Sequence, residues 1–494
     1  MALSVAVAAP LVVGLVLVLA GAALRRDWVT RLTLGAALVS AGAAVYAVAT
    51  HDRLDVAWLP SLAVRLVLRS DGLSAPLVLL TAGVGVLVAV YGMRRIPAGG
   101  PPGTFCGLLL VVLGGALATF LAGDALLFFV AFETVLIPMW VIIGRYGDNH
   151  DPQARRAAAS RFALFTLAGS SLMLVGILLL VVRAGTSDLA ALPKAAADLP
   201  LSTQTVIAVL LTLGLAVKVP VWPLHAWLPP AHTIAPTAGS VLLAAILLKM
   251  GTYGLLRLPA LTVTDGFSVL APALAVLGVV GILWGGLVCL VERDLKRLIA
   301  YSSVAHMGFV VLALATGSEV GLRAAAYGNV AHGVISAMLF FVVGGLKDRW
   351  GTVDLASVRP ALRETWPRMG FALVLGLAAG LGLPGLAGFW GEFLAMYAAW
   401  TQSDPADHPL LWRWLAGLAA VGAALAAAYA LRVLRRVWVG DAVAPADRVT
   451  RGDADAAETV VLVALGCAVV LLGVLPGPLL SVTGAALRAL GGGS

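Results

Sequence analysis

Apolar runs about as long as a bilayer is thick recur along almost the whole chain, and they decide what it can fold into. A hydrocarbon core of about 30 Å takes roughly 20 apolar residues of helix. Inside it only helices or closed barrels satisfy their own backbones, and these runs are too long for barrel strands of about 10 residues. Helices are predicted near 3–24, 31–50, 73–92, 105–121, 125–144, 161–182, 204–223, 236–256, 267–291, 298–316, 324–346, 370–400, 411–434 and 459–480. The fold class is therefore all-α: a polytopic membrane protein of about fourteen transmembrane helices. The first run ends in Arg25 and Arg26 instead of starting with basic residues, the reverse of a signal peptide, so it reads as a retained helix.

Composition agrees. The chain is 61% hydrophobic and only 12% charged, against about half and a quarter for a soluble domain. That excludes a water-soluble enzyme and a disordered chain. The net charge of +8 could suggest nucleic acid, but topology explains it. One set of loops and helix ends holds 22 Lys and Arg, the opposite set 9. Positive charge marks the cytoplasmic side, which puts both termini outside and makes the partner the lipid bilayer, with no nucleic acid. Cys106, Cys289 and Cys467 are far apart in apolar runs, so no iron–sulfur cluster, structural zinc or disulfide framework is expected.

Four ionisable side chains fall well inside predicted helices: Glu133, Lys218, Lys249 and Glu392. Each costs about 2.5–3.5 kcal/mol at bilayer depth on insertion scales. Together, unpaired, they would cost roughly 10–14 kcal/mol, comparable with the whole stability of a domain. A Glu–Lys pair in a low dielectric can switch protonation when the surrounding field changes; the alternative is a structural ion pair joining two helices. Two segments are broken by proline and glycine, LGLAVKVPVWPLHAWLPPAH with Pro220 and Pro223, and AAGLGLPGLAGFWGEF with Pro384. They are the seventh and twelfth helices. Broken helices at corresponding positions of two halves point to an ion site between repeats, so helices 4–8 and 9–13 are read as two inverted five-helix repeats. Pro220 frees a carbonyl that could hold the Lys218 ammonium or a water.

His306 and His332 also lie within helices, among small polar neighbours, and imidazole titrates near physiological pH. They are relay candidates, with helix packing as the alternative. His225 and His232 flank the proline-rich turn and read as capping or wetting groups at the cytoplasmic mouth. Asp124, at the start of the fifth helix, is explained by capping. Both histidines and Asp124 are secondary relay candidates. The GxGxxG match at Gly380–Gly385 follows no strand and is not a dinucleotide site.

At these residues the chain resembles the antiporter-like subunits of respiratory complex I, a family shared with Mrp-type sodium/proton antiporters and membrane-bound hydrogenases. The resembling segments are DGLSAPLVLLT (71–81), FETVLIPMWVIIGRYG (132–147), KVPVWPLHAWLPPAHTIAPTAGSVLLAAILLKMGTYGLLR (218–257), DLKRLIAYSSVAHMGF (294–309) and GLPGLAGFWGEFLAM (382–396). The resemblance implies a half-channel in each repeat, with Glu133 and Lys218 as the first pair, Lys249 the connecting lysine and Glu392 the exit residue. Glu392, where L- and N-type subunits usually carry lysine, and the short tail favour the M-type branch. Pro230 and Ile234 stand where the family commonly has acids, which puts an acidic inlet there in doubt.

The resemblance further implies a proton-translocating subunit of an NADH:quinone oxidoreductase in a bacterial inner membrane, beside antiporter-like L and N subunits. Flavin, iron–sulfur clusters and quinone would sit on partner subunits, leaving this chain no cofactor, metal or redox centre. The units would be 1–104 (helices 1–3), 105–257 (first repeat), 258–440 (second repeat) and 441–494 (loop and helix 14). An Mrp-type antiporter, a membrane-bound hydrogenase subunit and a passive scaffold or assembly subunit are the other readings.

Overall fold

The computed structural model describes residues 1–59, 64–148, 150–357, 361–402, 408–439 and 452–491. Arg359, Arg448 and Arg451 of the charge count, and most of the loop opening the last predicted unit, lie outside them. Thirteen described helices are long and apolar enough to span: Ala2–Ala20, Arg26–Thr50, Ala75–Gly92, Pro102–Leu121, Ala125–Tyr146, Pro152–Ala184, Leu201–Lys218, Thr237–Ala260, Thr264–Val291, Leu295–Ala315, Glu319–Trp350, Pro409–Val437 and Ala456–Val474. The predicted twelfth helix is two half-helices, Pro367–Gly380 and Ala387–Trp400. Counting that pair as one gives the expected fourteen, and helices are numbered on that basis below. The apolar stretches of the eighth and eleventh are buried throughout, while the first, second, sixth, thirteenth and fourteenth form the periphery.

Both predicted breaks exist, and both differ in detail. The seventh helix stops at Lys218, not at residue 223. Pro220 has no N–H to continue the ladder, and the chain resumes as a 3₁₀ turn, Leu224–Trp227, and a short helix, Leu228–Ile234. The carbonyls freed there are already used. Ala216 O accepts from Val221 N–H at 3.0 Å and Val217 O from the Trp227 indole at 2.8 Å, so the Lys218 ammonium does not rest on them. In the twelfth helix, Gly382 and Gly385 take φ +75° and +90°, a conformation open to glycine at little cost. The eighth helix runs past its predicted end, with π-helical turns at Leu243–Leu247 and Leu256–Ala260.

Several elements are unpredicted, among them the short helices Leu192–Ala196 and Leu362–Thr365. Arg53–Leu59 and Val64–Arg69 pair as an antiparallel hairpin, and a short helix, Gly477–Ala489, follows the fourteenth.

The halves also share a loop. Gly185-Thr-Ser-Asp-Leu-Ala190 follows the sixth helix and Gly351-Thr-Val-Asp-Leu-Ala356 the eleventh. Each opens on a left-handed glycine (φ 71° and 70°). Asp188 pairs with Asp124, and Asp354 with Asp294, as isolated bridges. Asp188 and Asp354 each accept from the amide two residues on, both at 2.9 Å. Asp124 and Asp294 in turn cap the fifth and tenth helices. Equivalent hinges five spans apart start their helices in opposite directions, the arrangement that inverted repeats require.

Candidate functional site

Glu133 lies in the first half of the fifth span, half-buried beside Ser170 and within electrostatic reach of Lys218. No direct ion pair joins the two. Lys218, the last residue of its helix and 3% exposed, instead holds its Nζ 5.0 Å from the centre of the Phe132 ring and 5.8 Å from that of Phe162. Aromatic faces attract a desolvated cation, so the rings hold the ammonium where the sequence suggested a carboxylate. Gly251 lets the eighth helix approach this point: a Cβ there would come within 3.0 Å of Lys218 Cβ and of Val219 N.

Two residues earlier on the same helix, Lys249 is wholly buried. Its Nζ donates to the carbonyl of Ala244 at 2.8 Å and meets Nδ1 of His332. Ala244 belongs to the π-helical turn, a widening typical of functional positions in helices. The His332 ring lies 5.6 Å, centre to centre, from that of His306. His306 Nδ1 is 2.8 Å from Glu392 Oε1. Lys249 and Glu392, which lack evident partners in the sequence, are thus ends of one chain: Lys249, His332, His306, Glu392. A cavity of about 30 Å³ lies among His306, His332, Glu392, Gly328, Gly388 and Gly391, room for a water or two at roughly 10–15 Å³ each.

The secondary candidates separate. Asp124 is 2% exposed and its carboxylate is taken up by capping. One oxygen accepts from Leu126 N–H and Leu127 N–H at 2.8 and 3.1 Å, the other from the Ser187 hydroxyl at 2.5 Å. His225 is buried, facing Tyr301 across 6.3 Å. His232 is not a wetted mouth group: it is fully buried and stacked on Phe340 at 4.4 Å. Among the described residues neither of its ring nitrogens has a hydrogen-bond partner.

The sequence missed several participants. Lys296 reads as a basic helix end, yet it is 4% exposed and its Nζ donates to Ala235 O. It lines a charged cavity of about 740 Å³ with Asp148, Lys347, Asp348, Arg95 and Asp455. Carboxylates therefore do gather at this mouth, from other positions than the turn at Pro230 and Ile234. Arg257, Arg349 and Glu458, assigned to helix ends, are buried too. Arg349 and Glu458 pair at 2.7 Å, and Arg257 pairs with Asp71. Asn329, one turn before His332, accepts from the Thr252 hydroxyl at 2.6 Å. Its signal was a lone carboxamide in an apolar helix.

The family described as NADH:quinone oxidoreductase/Mrp antiporter, TM, matches residues 122–407. The NADH-quinone oxidoreductase subunit M of Pseudomonas aeruginosa is 36% identical over 447 residues, 88% of this chain and 84% of that one. A chain of respiratory complex I from Thermus thermophilus with bound NADH superposes at a TM-score of 0.86 with 30% identity, covering 100% of both. A chain of the Mrp complex from Dietzia sp. DQ12-45-1b gives 0.85 with 26% identity, covering 98% of this chain and 52% of that one.

Proposed function

Because the chain belongs to the NADH:quinone oxidoreductase/Mrp antiporter membrane family, we propose that the buried side chains from Glu133 to Glu392 are its proton path. The protein is an antiporter-like, proton-translocating membrane subunit of the complex I type. It works within an oxidoreductase and translocase complex, beside other membrane subunits.

One observation carries the path: Lys249, His332, His306 and Glu392 are consecutive neighbours inside the bundle. Lysine, imidazole and carboxylate can each hold or release a proton, and the small cavity beside the histidines can hydrate the gap. Glu133 and Lys218 load and release the proton, Lys249 passes it inward and Glu392 delivers it outward. A shift in local field moves the proton, since the charge on each group biases the next. Quinone reduction elsewhere in the complex supplies that shift.

On this reading flavin, iron–sulfur clusters and quinone stay on partner subunits, with antiporter-like L and N subunits as neighbours. The termini face outward, the charged cavity faces the cytoplasm, and the repeats are 105–257 and 258–440. Asp124, His225 and His232 serve as cap and packing groups.

The test is Glu133→Gln in the assembled complex, reconstituted into vesicles. NADH-driven proton uptake should be lost or sharply reduced while NADH dehydrogenase flavin activity persists. Unchanged uptake at normal assembly overturns the reading. The likeness to the Mrp chain supports a second reading, sodium/proton exchange, which requires sodium-dependent proton movement without NADH.

A further inference from the structure

The last turn of the fourteenth helix lies against the break of the twelfth. The Trp390 indole N–H donates to Gly473 O at 2.8 Å, and the Tyr327 hydroxyl donates to Leu472 O at 2.6 Å. Gly473 presses so closely on the break that a Cβ there would fall 2.2 Å from Gly385 O and 2.3 Å from Leu386 Cα. The last carbonyls of a helix have no amide partner along their own ladder, and unsatisfied carbonyls are costly in an apolar setting. The two side chains supply the missing donors.

Trp390 stands two residues before Glu392 on the same half-helix, Ala387–Trp400. That half-helix has no side-chain cap at its own start. The flank next to Trp390, about 100° round the helix, crosses the eleventh helix at Gly391, where a Cβ would lie 2.9 Å from Gly328 Cα. Behind Glu392, a Cβ on Gly382 would meet Oε2 at 2.8 Å. The carboxylate seat has little slack, so a small slide of the half-helix would break the His306–Glu392 bond.

We propose that the end of the fourteenth helix is a positioning clamp for Glu392. The Trp390–Gly473 bond, seconded by Tyr327–Leu472, sets the height of the half-helix and holds Glu392 against His306. Trp390 and Tyr327 are positioning residues and handle no proton themselves. The inference rests on Glu392 being a relay group, and the experiment separates the two ideas.

Protons pumped per NADH oxidised are measured across pH in vesicles holding the complex with Trp390→Phe, Tyr327→Phe, Glu392→Gln, or Glu392→Gln combined with either of the first two. Loss of one part-buried hydrogen bond corresponds to roughly a three- to tenfold change in occupancy of the aligned state. Trp390→Phe should therefore lower the ratio several-fold and displace its pH profile, and Tyr327→Phe should do the same more weakly. Neither should add to Glu392→Gln, because the clamp acts only through that carboxylate. A wild-type ratio and pH profile in Trp390→Phe, or a loss that multiplies that of Glu392→Gln, overturns the clamp. Should Glu392→Gln pump normally, the relay reading fails first and the clamp with it. If Trp390→Phe lowers the amount of assembled complex, Tyr327→Phe, which removes one hydroxyl, is judged by the same criterion.

Discussion

His306 Nδ1 and Glu392 Oε1 lie 2.8 Å apart and join the tenth helix to the second half of the broken twelfth. The contact spans a sequence separation of 86 residues, and both side chains are largely sealed from solvent (13% and 10% exposed). A carboxylate buried this deeply requires a donor or a proton of its own. The imidazole supplies either, since the same ring can donate a hydrogen bond or hand over the proton. The His332 ring lies on the other side, 5.6 Å away centre to centre, so His306 has a neighbour on each side.

His306→Phe tests that arrangement. The ring volume stays, but Glu392 loses its donor and the line loses a titratable group. Proton pumping per NADH should fall by about tenfold or more, equivalent to about 1.4 kcal/mol for each factor of ten. Assembly and flavin reduction should remain near wild type. A pumping ratio equal to wild type rules out His306 as a relay member.

The residues legible in the sequence were those whose chemistry is costly in oil. Glu133, Lys218, Lys249 and Glu392 stand out as charges inside predicted helices, and proline with glycine marks both breaks. Their partners did not stand out. Lys249 meets His332 across 83 residues, and no spacing rule joins two helices so far apart. Lys296 reads as a cytoplasmic loop residue because the predicted tenth helix starts at 298; the observed helix starts at Leu295, and the tertiary contact of its Nζ with Ala235 O goes with its burial. The hairpin was missed for a different reason. Only RLDV alternates as a strand does, VRLVLR does not, and windows scaled to spanning helices average so short a period away. The GT-x-DLA loops were readable as a repeat, yet six residues in two long apolar halves carry little weight until their glycines and aspartates superpose in function.

Asp124 separates capping from proton transfer. Asp124→Asn keeps an acceptor for Leu126 N–H and Leu127 N–H but cannot ionise. It should leave pumping close to wild type. Asp124→Ala removes the cap and should lower stability by about 1 kcal/mol, seen as a lower melting temperature of the complex in detergent. Loss of pumping in the asparagine variant at normal assembly would restore Asp124 to the relay.

Gly251→Ala should disturb the Lys218 region without touching any charge. The new methyl would meet Val219 Cγ2 at 2.9 Å and Lys218 Cβ and Val219 N at 3.0 Å. Overpacking of this kind costs about 1–3 kcal/mol and would push the eighth helix away from the aromatic seat of the ammonium. The expected result is reduced pumping with a lowered melting temperature. Wild-type values for both would show that the close approach is dispensable.

Asp148 sits outside the spanning helices, at the charged cavity, and gives the pH prediction. Burial alone would raise its carboxyl. The hydrogen bond from the Lys347 ammonium and the one from His150 N–H, at 3.0 Å, outweigh that and hold it below the ordinary carboxylate range. A carboxyl depressed in the folded state stabilises above its unfolded value, near 3.9, and the contribution fades as pH falls through the folded value. The pair is only partly screened, with side chains 28% and 19% exposed. Asp148→Asn should therefore cost about 1–2 kcal/mol at pH 7 after allowance for solvent. Thermal unfolding of the complex in detergent should show that gap at pH 7 and a narrowing of it on acidification below about pH 4. A gap that stays constant from pH 7 to pH 3 would mean that the Asp148 charge, and hence its pairing with Lys347, does not stabilise this mouth of the bundle.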